Sequence, residues 1–209
     1  MARDLMTGSY KVWNRLLRDM RTPPPFYNVS QRTPAPLRWG KEHEDQACAI
    51  WWDKHPALDL ANPVCVAYHD TTNTLWARNV VVSPDRMIYD PAAGKWVSGF
   101  ELKCPFLQEN HEQWRNARAC PEEHYDQCAF GQLVTNIHKW VFCSFDPRQP
   151  NPDDQFFEVQ VPVQQSYLDK MYELGTRFLE MFESGNTFQP TSRTAKRFKE
   201  MFGGDTHAH

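Results

Sequence analysis

The amino-acid sequence predicts an α/β fold, a mixed central β-sheet flanked by helices. Two patterns and one bound predict it. Apolar residues recur at helical spacing near both ends and in the middle of the chain, while short β-branched and aromatic runs, parted by turn-forming residues, fill the intervals. The 209 residues, 41% hydrophobic and 23% charged, suffice for one substantial domain and exclude a disordered chain. We expect one domain over 1–209, with its core at about 7–184 and a C-terminal extension over 185–209 on the surface.

In "TGSYKVWNRLLRDMR" the apolar residues fall at 12, 13, 16, 17 and 20, one helix stripe, with Thr7 or Ser9 placed to cap it. "TPPPFY" ends that helix, because proline lacks the amide donor and restricts the residue before it. Residues 28–37 read as loop, and "LRWGKEHEDQACAIWWDKH" predicts a second helix stopped by Pro56. The β-rich runs "PVCVAYH", "LWARNVVV", "RMIYD" and "KWVSGFELKC", separated by "DTTN", "SPD" and "PAAG", predict an antiparallel meander. Helical spacing returns over 109–118 and 121–137. "KWVFCSFD" and "QFFEVQVPV" predict two further strands. "QSYLDKMYELGTRFLEMFES" closes the core as an amphipathic helix with Leu168, Met171, Leu174, Phe178 and Phe182 on one side. The predicted order is α-α-β-β-β-β-α-α-β-β-α, without internal repeats.

Several function classes fall away on composition. No apolar run approaches the roughly 18 residues of a membrane span, and "MARDLMTGSYKVW" lacks the apolar stretch of a secretory signal. Both place the chain in the cytoplasm with no membrane partner. Cys48, Cys65, Cys104, Cys120, Cys128 and Cys143 form no CxxC pair, and several sit in apolar runs, which reads as reduced core thiols. Cys120, His124 and Cys128 share a spacing of four that permits zinc, but a fourth ligand is missing nearby. The net charge of −3 disfavours nucleic acid as a partner of the chain as a whole. Its ends differ. Residues 1–21 set Arg3, Lys11, Arg15, Arg18 and Arg21 against Asp4 and Asp19, and residues 193–200 set four basic side chains against Glu200. Such ends suit solvated helix faces first, and also a surface that tracks phosphates.

The chemistry concentrates in "SGFELKCPF". Strand alternation sets Glu101 and Lys103 on one face, with Phe100, Leu102 and Cys104 on the other. Sixteen residues earlier, Asp85 stands in a Ser-Pro-Asp turn, and a hairpin through "YDPAAGK" would bring Asp85 and Glu101 together. Adjacent carboxylates repel unless neutralised, and a hard divalent cation does this, with the Leu102 carbonyl as a further oxygen ligand. Lys103 would then orient an attacking water. The same residues also suit a surface ion pair beside a turn-forming aspartate. Glu44 and Gln127 lie on predicted helices, where each alone reads as an exposed polar residue.

Taken together, "RWGKEHEDQA", "SPDRMI", "FELKCPF", "HYDQCAFGQLVT" and "VFCSFDPR" resemble, in order and approximate spacing, the lambda exonuclease family of viral-recombinase nucleases, within the PD-(D/E)XK superfamily. The resemblance runs from about residue 38 to 184 and weakens in "MTGSYKVW". It implies a restriction-endonuclease-like nuclease fold and a 5′-to-3′ exonuclease acting on linear double-stranded DNA. The resemblance also implies Asp85, Glu101 and the Leu102 carbonyl as ligands of Mg2+, or of Mn2+ in its place, with two ions. Lys103 would contact the nucleophilic water, and Glu44 and Gln127 would support the metal and water shell. Ser9, Ser83 and Arg3 would hold a 5′-phosphate. A homotrimeric ring and a single-strand annealing protein as partner follow from the same resemblance. The same set of site residues also serves endonucleases and junction resolvases, and a DNA-binding scaffold with a degenerate site is the alternative from another class.

Overall fold

The computed structural model describes residues 2–7, 9–22, 34–62 and 65–187. Most of the expected 28–37 loop and of the 185–209 extension lies outside them. The chain divides into two compact units, Met1–Tyr27 with Asp169–His209, and Asn28–Leu168.

In the first unit, helices α1 (Ala2–Met6) and α2 (Tyr10–Arg21) precede the part of α7 (Gln165–Ser184) that follows Leu168. The stripe predicted for α2 is real: Trp13 and Leu17 are fully buried with Leu5, Leu174 and Phe178. Trp13 meets Phe178 edge to face at 5.7 Å and donates its indole N–H to the Leu5 carbonyl at 3.2 Å. Arg21 supplies donors to the carbonyls of Met181, Phe182 and Asn186, at 2.8, 3.1 and 3.0 Å. These are groups that a helix C-terminus leaves unmet. Gly185, at φ 72°, turns the chain there in the left-handed region.

The second unit holds a five-stranded sheet in the order β1 (Asp59–Ala61), β4 (Arg86–Asp90), β5 (Lys95–Lys103), β6 (Trp140–Phe145), β7 (Phe156–Gln160). Only β5 and β6 run parallel. A parallel pair needs a crossover, and α5 (Gln108–Ala117) and α6 (Glu122–Thr135) provide it. The β4–β5 hairpin turns at Asp90–Lys95, where Asp90 accepts the amides of Ala92 and Ala93 and Gly94 takes φ 64°. Tyr89 pairs with Trp96 and Ile88 with Ser98, so Val97 is an extra residue that resets the strand's phase.

That phase sorts the side chains. Phe100 and Leu102 face Ala47, Cys48 and Trp51 of α3 (Ala35–Lys54), while Met87, Trp140 and Phe142 pack with Trp114 and Cys128 of α5 and α6. A fully buried aromatic of this kind adds roughly 1.5–3 kcal/mol. Trp140 needs special room. It lies opposite Gly99 in the ladder, and a Cβ on Gly99 or on Gly131 of α6 would stand 2.4 or 2.3 Å from its ring. Two glycines thus let α6 settle against the sheet.

The meander expectation is corrected. "LWARNVVV" begins as helix α4 (Thr74–Asn79), because the Asn73 side chain caps it by accepting the Trp76 amide, and β-branched residues are confined to its end. Strands β2 (Val66–Ala67) and β3 (Val81–Val82) pair in a separate two-stranded sheet. Strand β1 and helix α1 are too short for periodicity to reveal.

Candidate active site

Strand β4 begins at Arg86, opposite Phe100. Past that pair, the Leu102 amide has no strand to meet on this side, and Asp85 takes it: Oδ2 accepts the Leu102 N–H at 2.7 Å. Pro84, buried, fixes the entry, and Arg86 donates to the Asp85 carbonyl at 2.7 Å. Lys103 Nζ reaches the same Asp85 oxygen at 3.5 Å and hydrogen-bonds Glu101 Oε1. One ammonium therefore stands between two carboxylates.

Glu101 is 1% exposed, which excludes the surface-pair reading. Burial raises its pKa to about 7, Lys103 opposes the rise and Asp85 adds to it. Burial disfavours the Lys103 charge, yet Glu101 and Asp85 outweigh it and raise that pKa. Lys103 thus opposes protonation of Glu101, and the two carboxylates keep Lys103 charged.

Glu44, half-buried on α3, belongs to the same neighbourhood. The thiols of Cys48 and Cys104 both feel the charges of Glu44 and Asp85, and burial with those charges lifts Cys104 to about 12. These two cysteines are core thiols. Gln127 is exposed on α6, and among the described residues no hydrogen bond joins it to Asp85, Glu101 or Lys103. The α6 residues that do sense the pair are His124 and Cys128, one helical turn apart. Their spacing of four is visible in the sequence, where it permits a zinc reading.

Of the expected 5′-phosphate set, Ser83 is exposed just before Pro84, with Oγ 3.7 Å from Cys65 Sγ. Ser9 is the N-cap residue of α2, without a side-chain cap bond, and Arg3 is exposed on α1. Ser83 belongs to the second unit, Ser9 and Arg3 to the first.

Two further side chains brace the site. His111 Nε2 donates to the Asp154 carbonyl and its Nδ1 accepts the Ser144 hydroxyl, both at 2.8 Å. The carbonyl can only accept, which fixes the tautomer. Ser144 is the ladder partner of Lys103, so this pin ties α5 to the sheet beside the site. Arg148 holds the chain after Lys103: it donates to the carbonyls of Phe106 and Pro105 at 2.9 and 3.0 Å and lies 4.3 Å over Trp39. Its other bonds go to the fully buried Asp146 carboxylate.

The donor set fits a hard cation. Two carboxylates and a backbone carbonyl are oxygen ligands of the kind magnesium and manganese take, and magnesium commonly uses one or two carboxylates with water and substrate oxygens. Among the described residues, no three His, Cys, Asp or Glu side chains converge to hold a metal on their own. The two carboxylates already share one cation, the Lys103 ammonium.

Comparison with known proteins bears on the family and the fold. The family model of the YqaJ-like viral recombinase domain matches residues 2–138. No curated protein sequence matches the chain. Among solved structures, the alkaline exonuclease LHK-Exo of Laribacter hongkongensis is similar at 18% identity and TM-score 0.67, over 96% of this chain and 91% of that one. Its complex with dAMP gives 17%, 0.68, 97% and 90%. A phage-related exonuclease of Haemophilus somnus 129PT gives 13% and 0.56, over 83% of this chain and 82% of that one. The fold of the chain is the alkaline exonuclease fold.

Proposed function

The chain belongs to the family of the YqaJ-like viral recombinase domain, and on that premise we propose that it is a magnesium-dependent exonuclease. It digests linear double-stranded DNA from 5′ ends, releases mononucleotides and leaves a 3′ single strand for annealing. One observation carries this reading: a carboxylate buried to 1% exposure and bonded by a lysine that also reaches the second carboxylate. Burying that charge is costly and makes sense where a reaction needs it. The relative solved with dAMP, a deoxynucleoside monophosphate, supports the mononucleotide product.

Asp85 and Glu101, with the Leu102 carbonyl, would hold Mg2+, or Mn2+ in its place, in a site for two ions. When bound, such ions supply an acidified water and offset charge on the attacking and leaving oxygens. Lys103 orients that water, and its ammonium offsets the charge that develops on it as the bound metal acidifies it. Glu44 and Gln127 support the water shell. Ser9, Ser83 and Arg3 hold the terminal 5′-phosphate by charge-assisted hydrogen bonds. Three subunits in a closed ring would keep a net acidic protein on its DNA, and a single-strand annealing protein would receive the product strand.

The test is digestion of linear, nicked-circular and covalently closed duplex, with magnesium or with chelator. Mononucleotide release from linear DNA only, dependent on the metal, is expected. Cutting of closed circles would make the protein an endonuclease, and no cutting at all would leave it a DNA-binding scaffold.

A further inference from the structure

His124 is the side chain near the reaction centre that the nuclease reading leaves without a task. It sits in the first turn of α6, and its ring is held on two sides. Phe142 lies nearly parallel to it, with centroids 5.6 Å apart and 19° between planes, and Trp114 meets it edge-on at 5.4 Å. Phe142 is the ladder partner of Glu101, so this packing anchors the ring beside the buried carboxylate. His124 and Lys103 line one cavity of about 450 Å3, together with Phe106, Asn110 and Trp114.

The other imidazoles of this unit that are buried or half-buried are spoken for. His43 bonds the Trp39 carbonyl, His55 bonds Glu158, and His111 bonds Ser144 and Asp154. Among the described residues, no hydrogen bond reaches either ring nitrogen of His124. The ring is half-buried and held rigidly, and its nitrogens stay open to meet a ligand in place of water. Burial, and then Lys103, lower its pKa to about 4 against the opposing pull of Asp85. The ring is therefore neutral in ordinary buffer, with one N–H to donate. A neutral donor suits a place that already holds an ammonium and would hold metal charge. Glu123, the acidic residue of the lining, is exposed, so solvent screens it.

We propose that His124 contacts the substrate, its imidazole N–H donating to a non-bridging phosphate oxygen of the nucleotide that lies against Lys103. The proposal rests on the nuclease reading above and adds a catalytic residue to it. A phosphodiester oxygen only accepts, which matches the N–H that a neutral, unpaired imidazole can donate.

His124→Phe keeps an aromatic ring between Phe142 and Trp114 and removes both nitrogens, and His124→Gln restores a neutral donor without the ring. Single-turnover digestion of 5′-phosphorylated linear duplex at saturating DNA, with thermal unfolding alongside, separates the roles. His124→Phe should lose about 10- to 100-fold in rate, the range of a hydrogen bond to a charged group, at unchanged Tm, and His124→Gln should recover part of the loss. A phosphorothioate at the scissile phosphate supplies the second measurement. Replacing the contacted oxygen by sulfur should slow the wild-type protein more than His124→Phe, even where a variant is less stable. Wild-type rate in His124→Phe, or equal sulfur effects in the two proteins, overturns the proposal while the nuclease reading stands. A wild-type protein that releases no nucleotide overturns both.

Discussion

A methyl group added at Gly131 tests how the site is assembled. Its Cβ would lie 2.3 Å from two ring carbons of Trp140, and a Cβ on Gly99 would meet the same ring at 2.4 Å. Carbon atoms prefer about 3.5–4.0 Å, so roughly 1.2–1.7 Å must be found. Trp140 is 1% exposed and walled by strand backbone, which leaves α6 to move outward. Overpacking of this kind costs typically about 1–3 kcal/mol. Helix propensity works the other way, because Ala exceeds Gly by about 1 kcal/mol in a helix interior. The clash involves a rigid ring and two main chains, so the upper half of the packing range applies and Gly131→Ala should be destabilised by about 1–2 kcal/mol.

The sign is diagnostic, since propensity alone predicts a more stable protein. Urea denaturation reads it as a lower midpoint at unchanged slope. Helix α6 also carries His124 and Cys128 toward Glu101 and Lys103, and an ångström of displacement there can cost on the order of 100-fold in rate. Digestion should therefore fall further than the stability loss explains. Trp140→Leu in the same chain should relieve the clash, giving a favourable coupling in the double-mutant cycle. A Gly131→Ala protein as stable as wild type, or more so, would refute the account of the glycine cradle.

Four further outcomes follow from the same geometry. Asp85→Asn and Glu101→Gln keep side-chain shape and remove a charge; each should abolish metal-dependent digestion while DNA binding, followed by fluorescence anisotropy in chelator, persists. Lys103→Ala should slow the single-turnover rate by about 100-fold or more, as expected for loss of a charged group that orients the water and offsets developing charge, with metal affinity by calorimetry mostly retained. A 5′-phosphorylated duplex should be digested much faster than a 5′-hydroxyl one, and equal rates would leave Ser9, Ser83 and Arg3 without the role assigned to them. Arg148→Ala should destabilise the protein by about 3–5 kcal/mol in chemical denaturation, because it strands the buried Asp146 carboxylate.

Much of the site was legible because strand alternation is a strict rule. Once β5 buries Phe100 and Leu102 against α3, Glu101 and Lys103 can only share the opposite face, and a six-residue "YDPAAG" turn region returns the chain to Asp85's strand. The helices at 108–117, 122–135 and 165–184 were readable from apolar spacing for the same reason. What escaped was decided by single contacts. The Asn73 cap turned an expected strand into α4. The Val97 bulge, which sets the phase of β5, has no marker in the residue types. Gln127 and Cys128 are neighbours in sequence yet differ by about 100° around a helix, so one is exposed and the other senses Glu101 and Lys103.

The site also shows why its motifs extend past the reacting groups. A sheet can place carboxylates side by side where its ladder stops, since there an amide and a carbonyl become available to side chains. Asp85 uses that opening by taking the Leu102 amide. Such an end would fray unless the chain beyond it were held, and "FDPR" performs that task. Asp146, fully buried, aligns the Arg148 guanidinium, which gathers the carbonyls of Pro105 and Phe106 two and three residues after Lys103. His111 and Ser144 brace the other flank at the residue paired with Lys103. The buried Glu101–Lys103 pair is therefore fixed by polar contacts at both margins of the sheet's open end. Preorganisation of this kind keeps a costly buried charge in one orientation, so that charge developing on a phosphate meets groups already in place.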